Sequence, residues 1–530
     1  MFFLPPENRR CMDLKGIMLM KMLRVGLAIM MIGLVFPVAC QAKKASDNDI
    51  RQPAVAGKFY PDSESRLKLA IQKYLQDAVP EKTKSPVAII VPHAGYIFSG
   101  QICADGFKQV SSQQYDVVVI LGANHTNPDF RKISVYPGDG FRTPLGTVMI
   151  DRNMASSLAE KNPDCIPDKT LHEQEHSVEV VVPFVQVLFP KAKIVPVIVG
   201  TPDIDMCTRF GKTLASVVKD RRALIVASSD LSHYPSAKDA ASVDGKILQA
   251  ITGLDPAAFS SAVQIQMNRR IPNLYTCACG EAPIMAAMAA AKTLGATHGD
   301  IISYAHSGDA SIGEQSRVVG YGAVALTTEK EKENSMESKK ISQAPGDTTL
   351  RPSDKKSLLA FARETISRLL LTDTLPLARG FDPKLQQPQG VFVTLKKKGE
   401  LRGCIGRIIG DEPLCKLVGT MAVQSALYDR RFRPVTSDEL DEIDIEISVL
   451  TPPKHVSGAE DIVVGRDGVL LSKNGHSAVF LPQVATEQGW SREEMLDNLC
   501  FKAGLKAGSW KQGAQLSTFQ AIVFSETDFK

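Results

Sequence analysis

The sequence contains no Cys-x-x-Cys pair and no regular cysteine framework. Its ten cysteines are scattered over 530 residues, which argues against a disulfide scaffold or a structural zinc knuckle. Charge of one sign is also scarce: the net charge is +4, and no basic stripe is interleaved with aromatics, so nucleic acid finds no support as a partner. No apolar run is long enough to read as a membrane span. What remains is ordinary for globular protein, with 44% apolar and 23% charged residues. At this length two or more domains are expected.

The N-terminus departs from this average. Lys21 and Arg24 precede the apolar run from Val25 to Ala39, and small residues and Cys40 follow. This order predicts a secretory signal over residues 1–40 and an exported, periplasmic chain. Ala39-Cys40 also resembles the cleavage point of a bacterial lipoprotein, although Pro37 stands where that pattern wants Leu. A lipid anchor there would be the chain's only link to a membrane. An uncleaved anchor is the alternative, and a start at Met18, Met20 or Met22 would shorten the segment, leaving a cytoplasmic chain if it is no signal at all.

Residues 41 to about 50 read as a tether. Ser63 is the expected cap of a helix reaching about Gln76, with Leu67, Ala70, Ile71, Tyr74 and Leu75 on one face. The all-apolar run Val87 to Val91 then ends on Pro-His93-Ala-Gly95, where a strand buried on both faces would present a ligand site. Gly95 and Gly100 permit a sharp turn or a close ligand approach, and a helix is expected near Ile102 to Val110. Tyr115 to Gly122 repeats the design and ends on His125. Leu171 opens an expected helix toward Leu188, on which His172 and His176 stand one turn apart. The letters His-Glu-Gln-Glu-His satisfy HExxH, but no further zincin feature accompanies them. A helix start bearing solvated His and Glu is the competing reading.

Two further buried strands are expected at Ala192 to Gly200 and Ala223 to Ser229. The second runs into Asp230-Leu-Ser-His233, a carboxylate and an imidazole that fit one centre, with Asp230 as a cap for the following helix as the alternative. Cys279 precedes a small-residue helix from Ile284 to Leu294, where the helix dipole favours thiolate. A small buried residue in a tight turn is its other reading. Strands near Ile301 to Tyr304 and Val318 to Leu326 close the region. Seven of the nine histidines lie between His93 and His306. A metal site of His93, His125 and Cys279 with Asp230 or His233 close by fits this pattern, and mixed imidazole, thiolate and carboxylate donors suit iron, copper or zinc better than magnesium or calcium.

The segments Arg51-x-Pro-Ala-Val-Ala-Gly-x-Phe-Tyr-Pro61, Pro-His93-Ala-Gly-Tyr, Leu-Gly-Ala-Asn-His125, Glu-His176-Ser-Val-Glu, Ser-Ser-Asp230-Leu-Ser-His233 and Cys279-Gly-Glu-Ala-Pro-Ile together resemble the Memo family over residues 51–327. The resemblance implies an α/β fold, a sheet flanked by helices like that of the class III extradiol dioxygenases, whose non-haem iron is held by two histidines and a carboxylate. By resemblance His93 and His125 are the histidine ligands, and Cys279 stands where the dioxygenases supply the carboxylate. A thiolate there softens the site toward copper or a differently tuned iron and is itself oxidisable, so ring cleavage does not follow. His176 or His233 would serve as acid and base, with Asp230 beside them.

Residues 328–352 are charged and polar and read as a linker. Ser353 is the expected cap of a helix ending before Asp373, and Gly390 to Gly406 reads as a hairpin. Within it, Leu401-Arg402-Gly-Cys404-Ile-Gly406 either holds a reactive thiol beside a positive charge or packs a tight sheet bend, and the lack of a nearby histidine favours packing. With Asp429-Arg-Arg-Phe432, Gly465-Arg-Asp-Gly, Phe480-Leu-Pro-Gln and Gly489-Trp490 it is similar to the AMMECR-type domain, a smaller α+β unit over residues 355–530. A chain carrying both resembles a fusion of components A and B of the bacterial AmmeMemoRadiSam system. No cluster-binding Cys-x-x-x-Cys-x-x-Cys occurs, so the radical S-adenosylmethionine protein of that system would be a separate partner. Such chemistry is cytoplasmic, whereas the N-terminus points to export, and the two expectations pull apart. Two functions are carried forward: a metal-dependent redox enzyme acting on an unknown small molecule or peptide, and a non-catalytic binder of iron, copper or a peptide.

Overall fold

The computed structural model describes residues 49–328 and 350–529. The predicted signal over residues 1–40, most of the tether and most of the predicted linker lie outside the described residues. Among the described residues no helix is long and apolar enough to cross a membrane.

Four apolar runs become the parallel centre of an eight-stranded sheet: Pro86–Val91, Ala223–Ser228, Val117–Ala123 and Lys193–Val199, in that spatial order. Gly320–Thr327 and His298–His306 extend one side antiparallel. Ile133–Val135 pairs antiparallel with Lys193–Val199 on the other, and Cys165–Pro167 joins it. Strands without alternation are stable only when both faces are covered, and here Val117 to Leu121 are all fully buried. The register pairs Val91 with Ser228 and Leu121 with Ala227. His93, Asp230 and His125 therefore leave the sheet side by side, at the carboxyl ends of adjacent parallel strands where α/β sheets bind ligands.

Helix Glu64–Gln76 buries Leu67, Ala70, Ile71 and Tyr74 as their spacing predicts. The helix after His93 runs Tyr96–Lys108 and so begins earlier than expected, on Gly95 as its N-cap. Gly100 lies within it, and a Cβ there would sit 2.6 Å from the Tyr74 ring. That glycine serves helix packing rather than a turn or a ligand. The helix expected from Leu171 to Leu188 is broken into Thr170–Glu173, His176–Glu179 and Val182–Leu188. Glu175 is extended and caps the second piece through Ser177 N, which turns His172 and His176 apart and removes the HExxH arrangement.

Beyond residue 350 the chain forms two lobes. Helix Pro352–Thr372 opens the first, capped by Arg351 and Asp354 rather than by Ser353. Its sheet has the order Glu400–Arg407, Val391–Lys397, Ile443–Leu450, Ala521–Ser525. The hairpin between the first two turns on Lys398 and Gly399, both at positive φ, as two-residue hairpins require. The second lobe packs helix Arg492–Lys502 on a sheet that includes Gly468–Lys473 and His476–Phe480.

Candidate metal centre

Gly280 explains how Cys279 reaches the strand ends. A Cβ at Gly280 would lie 2.6 Å from both Ser228 O and Ser229 Cβ, so only glycine lets helix Glu281–Thr293 press its start against the sheet. Ser229 Oγ accepts from Gly280 N at 2.9 Å, and Cys279 N donates to Asp230 O. The Cys279 sulfur then lies 3.2 Å from His93 Nε2.

Among the described residues two groups of donor atoms lie within 4.8 Å of one another: His93, His125 and His176, and His93, Asp230 and Cys279. His93 belongs to both. The rings of His93 and His125 stand 5.2 Å apart edge to face, and His176 stacks on His125 at 4.7 Å. His233, the remaining predicted site residue, lies beside Cys279, with Nε2 buried and without a hydrogen-bond partner. Asp230 does not cap the helix after it, which Ser236 caps. Its Oδ1 instead accepts from His93 N at 2.9 Å and Ala94 N at 3.2 Å.

Two residues that sequence reasoning did not assign orient the imidazoles. Ser228 Oγ donates to Ser177 O at 2.6 Å and therefore accepts from His93 Nδ1 at 2.9 Å. Glu175, buried, accepts from His125 Nδ1 at 2.9 Å and from His125 N at 2.7 Å. In the neutral ring each contact holds the proton on Nδ1 and leaves Nε2 as the metal-binding atom, the arrangement that metal-ligating histidines use. Glu175 stood in a quoted motif, but its letters do not distinguish a buried carboxylate from a solvated one. Ser228 carried no signal beyond its place at a strand end.

The charges follow the geometry. Burial pushes the Cys279 thiol up, but the charge of His93 and the neighbouring imidazoles of His125 and His233 outweigh it and hold the group well below the ordinary thiol value. Burial also opposes protonation of His125, yet hydrogen bonds to Cys279 and Glu175 raise it to about 11. His176 moves the other way, to about 3, through burial and then the neighbouring His93 charge. His172 belongs elsewhere: its ring packs against Tyr136 and Phe141 and bonds Ser134 Oγ at 3.0 Å.

The sequence model of the Memo-like protein family matches residues 51–325, and that of AMMECR1 matches residues 359–524. A MEMO1 family protein of Aquifex aeolicus is 38% identical over 274 residues, covering 51% of this chain and 97% of that protein. One of Nitrosopumilus maritimus is 34% identical over 281 residues, covering 52% and 98%. Among solved structures, the uncharacterized protein PH0010 from Pyrococcus horikoshii aligns with 36% identity over 33% of this chain and 93% of its own, at a TM-score of 0.33. The chain thus belongs to the Memo family and carries an AMMECR1 domain behind its Memo domain.

Proposed function

We propose that the chain is a metal-dependent redox protein in which His93, His125 and Cys279 hold iron or copper, and in which the AMMECR1 domain recognises a substrate or partner. The observation that carries this reading is the 3.2 Å approach of His93 Nε2 to Cys279 Sγ, with Ser228 and Glu175 holding the other ring nitrogens outward. Neutral imidazole nitrogens and a thiolate are donors that iron and copper accept. The metal, when bound, supplies one-electron chemistry. The chain's own groups do the rest. Asp230 fixes the His93 backbone through its Oδ1. His233 Nε2, buried and unpartnered, is placed to give or take a proton at a bound molecule, and His176, whose protonation its surroundings oppose, stands beside His93 and His125 as a neutral ring that can hydrogen-bond it. Access runs past His125, whose side chain is 29% exposed. The substrate is a small molecule or peptide, and a radical S-adenosylmethionine protein is the proposed partner of the system. An exported chain would have to meet such a protein before export.

Metal analysis of anaerobically purified full-length protein tests this. Wild type, His176→Gln and His233→Gln are expected to retain iron or copper, while Cys279→Ser loses it. A Cys279→Ser variant that retains metal like wild type overturns the ligand set. Retention without any turnover that depends on His176 or His233 identifies a metal carrier instead.

A further inference from the structure

His233 is held by backbone on both sides. Its N donates to Thr276 O at 3.0 Å and its O accepts from Tyr275 N at 3.0 Å, while Val319 pairs with it antiparallel along the other edge. The next residue, Tyr234, donates its N to Val318 O at 2.6 Å and has a φ of 76°. That left-handed conformation is unfavourable for a bulky side chain and persists only where the neighbours over-determine it. Its effect is to bring two rings together. Successive side chains of an extended chain point apart, whereas the Tyr234 ring stands 5.5 Å from the His233 ring, edge to face.

Two further side chains meet the Tyr234 ring. The Arg317 guanidinium lies over its face, 4.1 Å from the centroid, and the Tyr275 ring is 6.4 Å away. Tyr275 is 75% exposed. Arg317 is also exposed and, among the described residues, makes no hydrogen bond or ion pair. Packing does not account for a cation without a counter-charge, laid on a ring that strained backbone presents beside His233. A guanidinium stacked by its face keeps its N–H edge free, and that planar fork matches a carboxylate through two parallel N–H···O bonds.

We propose that Arg317, Tyr234 and Tyr275 form a substrate-anchoring subsite beside the metal centre, in which Arg317 pairs with a carboxylate and the body of the molecule lies along the two tyrosine rings with its reactive end at His233. The subsite rests on the reading of His233 as the group that moves a proton, and it names the substrate class for that reading: a carboxylic acid with an apolar body. His233 Nε2, buried and without a hydrogen-bond partner, is the atom such a molecule meets. Arg317 is then a specificity-determining residue.

Benzoate and benzamide are close in size and differ in charge, so the pair isolates the carboxylate. Each is titrated at neutral pH into full-length protein freed of metal, where neither probe has an ion to coordinate. The imidazole Hε1 signal of His233 is followed by NMR and assigned by its loss in His233→Gln. Benzoate is expected to bind about tenfold or more tightly than benzamide, as a charge-assisted pair requires, to shift the His233 signal, and to weaken with added salt. Arg317→Gln removes no hydrogen bond on which the fold rests and should bring the two probes to equal affinity. Arg317→Lys, which keeps the charge but loses the planar fork, should restore part of the preference. Tyr275→Ala should weaken both probes alike. Equal affinity in the wild type, a preference that survives Arg317→Gln, or benzoate binding that leaves His233 unmoved overturns the proposal. None of these readouts involves the metal, so they stand or fall separately from metal retention in Cys279→Ser.

Discussion

Ser228 Oγ stands 2.9 Å from His93 Nδ1 and gives its own proton to Ser177 O, so the imidazole is the donor in this pair. In the neutral, metal-binding form of the ring the proton of His93 is thereby held on Nδ1, and Nε2 faces the sulfur of Cys279. Ser228→Ala removes the acceptor and frees the ring to rotate or switch tautomer. The expected result is a loss of metal affinity of about 10- to 100-fold, read by competition with a chelator, in a protein whose circular dichroism matches wild type.

Glu175 plays the same part for His125 and adds a full charge. Glu175→Gln can preserve an acceptor while removing the negative charge that helps hold the imidazolium. The His125 pKa, raised to about 11 in the metal-free protein, should move down toward the ordinary histidine range without reaching it, because Cys279 remains. Imidazole proton signals followed by NMR titration of metal-free protein would check this. An unchanged pKa would assign the shift to Cys279 alone.

His172 offers a pH test away from the metal centre. Ser134 Oγ donates to Asp168 O, so His172 Nε2 donates to Ser134, and Nδ1 is left unprotonated, buried and without a partner. Burial, followed by the Arg51 charge, lowers its pKa to about 3. A histidine kept neutral in the folded state contributes stability that is complete above its unfolded value near 6.5 and is lost as pH falls toward 3. The loss over that window is on the order of 4 kcal/mol. His172→Phe keeps an aromatic packed against Tyr136 and Phe141, and urea midpoints between pH 3 and 7 should then show a shallower slope than wild type.

These groups differ in how far the sequence discloses them. His93, His125 and Asp230 were legible because each follows an all-apolar run, and parallel strands present their carboxyl ends together. Cys279 was legible from its place before a small-residue helix. Glu175 was not, because neither Gln174 nor Glu175 is a helix breaker. The break comes from tertiary contacts, with Glu175 leaving the helix to reach His125 and Ser177. The same break separates His172 from His176, which the 3.6-residue period placed on one face. In the second domain the hairpin turn at Lys398-Gly399 was readable from local chemistry. The cation beside Cys404 was assigned to its neighbour Arg402, whereas Arg431 reaches the Cys404 carbonyl from a distant segment.

Gly280 connects fold to site most directly. Its φ is −103°, so alanine meets no backbone strain there, and the whole penalty is the collision of Cβ with Ser228 O and Ser229. Gly280→Ala is expected to destabilise the Memo domain by about 2 kcal/mol and to move Cys279 away from His93. A thermal shift together with reduced metal content would be the signature. Full metal content in a destabilised protein would mean that Cys279 tolerates the displacement.

Arg379 ties the AMMECR1 domain to the helix that follows His93. Its Nη1 lies 2.7 Å and its Nη2 3.1 Å from the carboxylate of Asp105, which is fully buried on Tyr96–Lys108 and also accepts from Val79 N and Gln101 Nε2. Removing the guanidinium strands a buried negative charge. Because Arg379 is itself about a third exposed, Arg379→Ala should cost about 2 kcal/mol rather than the larger figure of a wholly buried pair. Asp105→Asn keeps acceptors for Val79 and Gln101 without the charge, so the double variant should recover part of that loss. Urea midpoints of the four proteins form the cycle. Strict additivity would show that the two domains dock without this pair, whereas a favourable coupling makes the helix beside His93 sensitive to what the AMMECR1 domain binds.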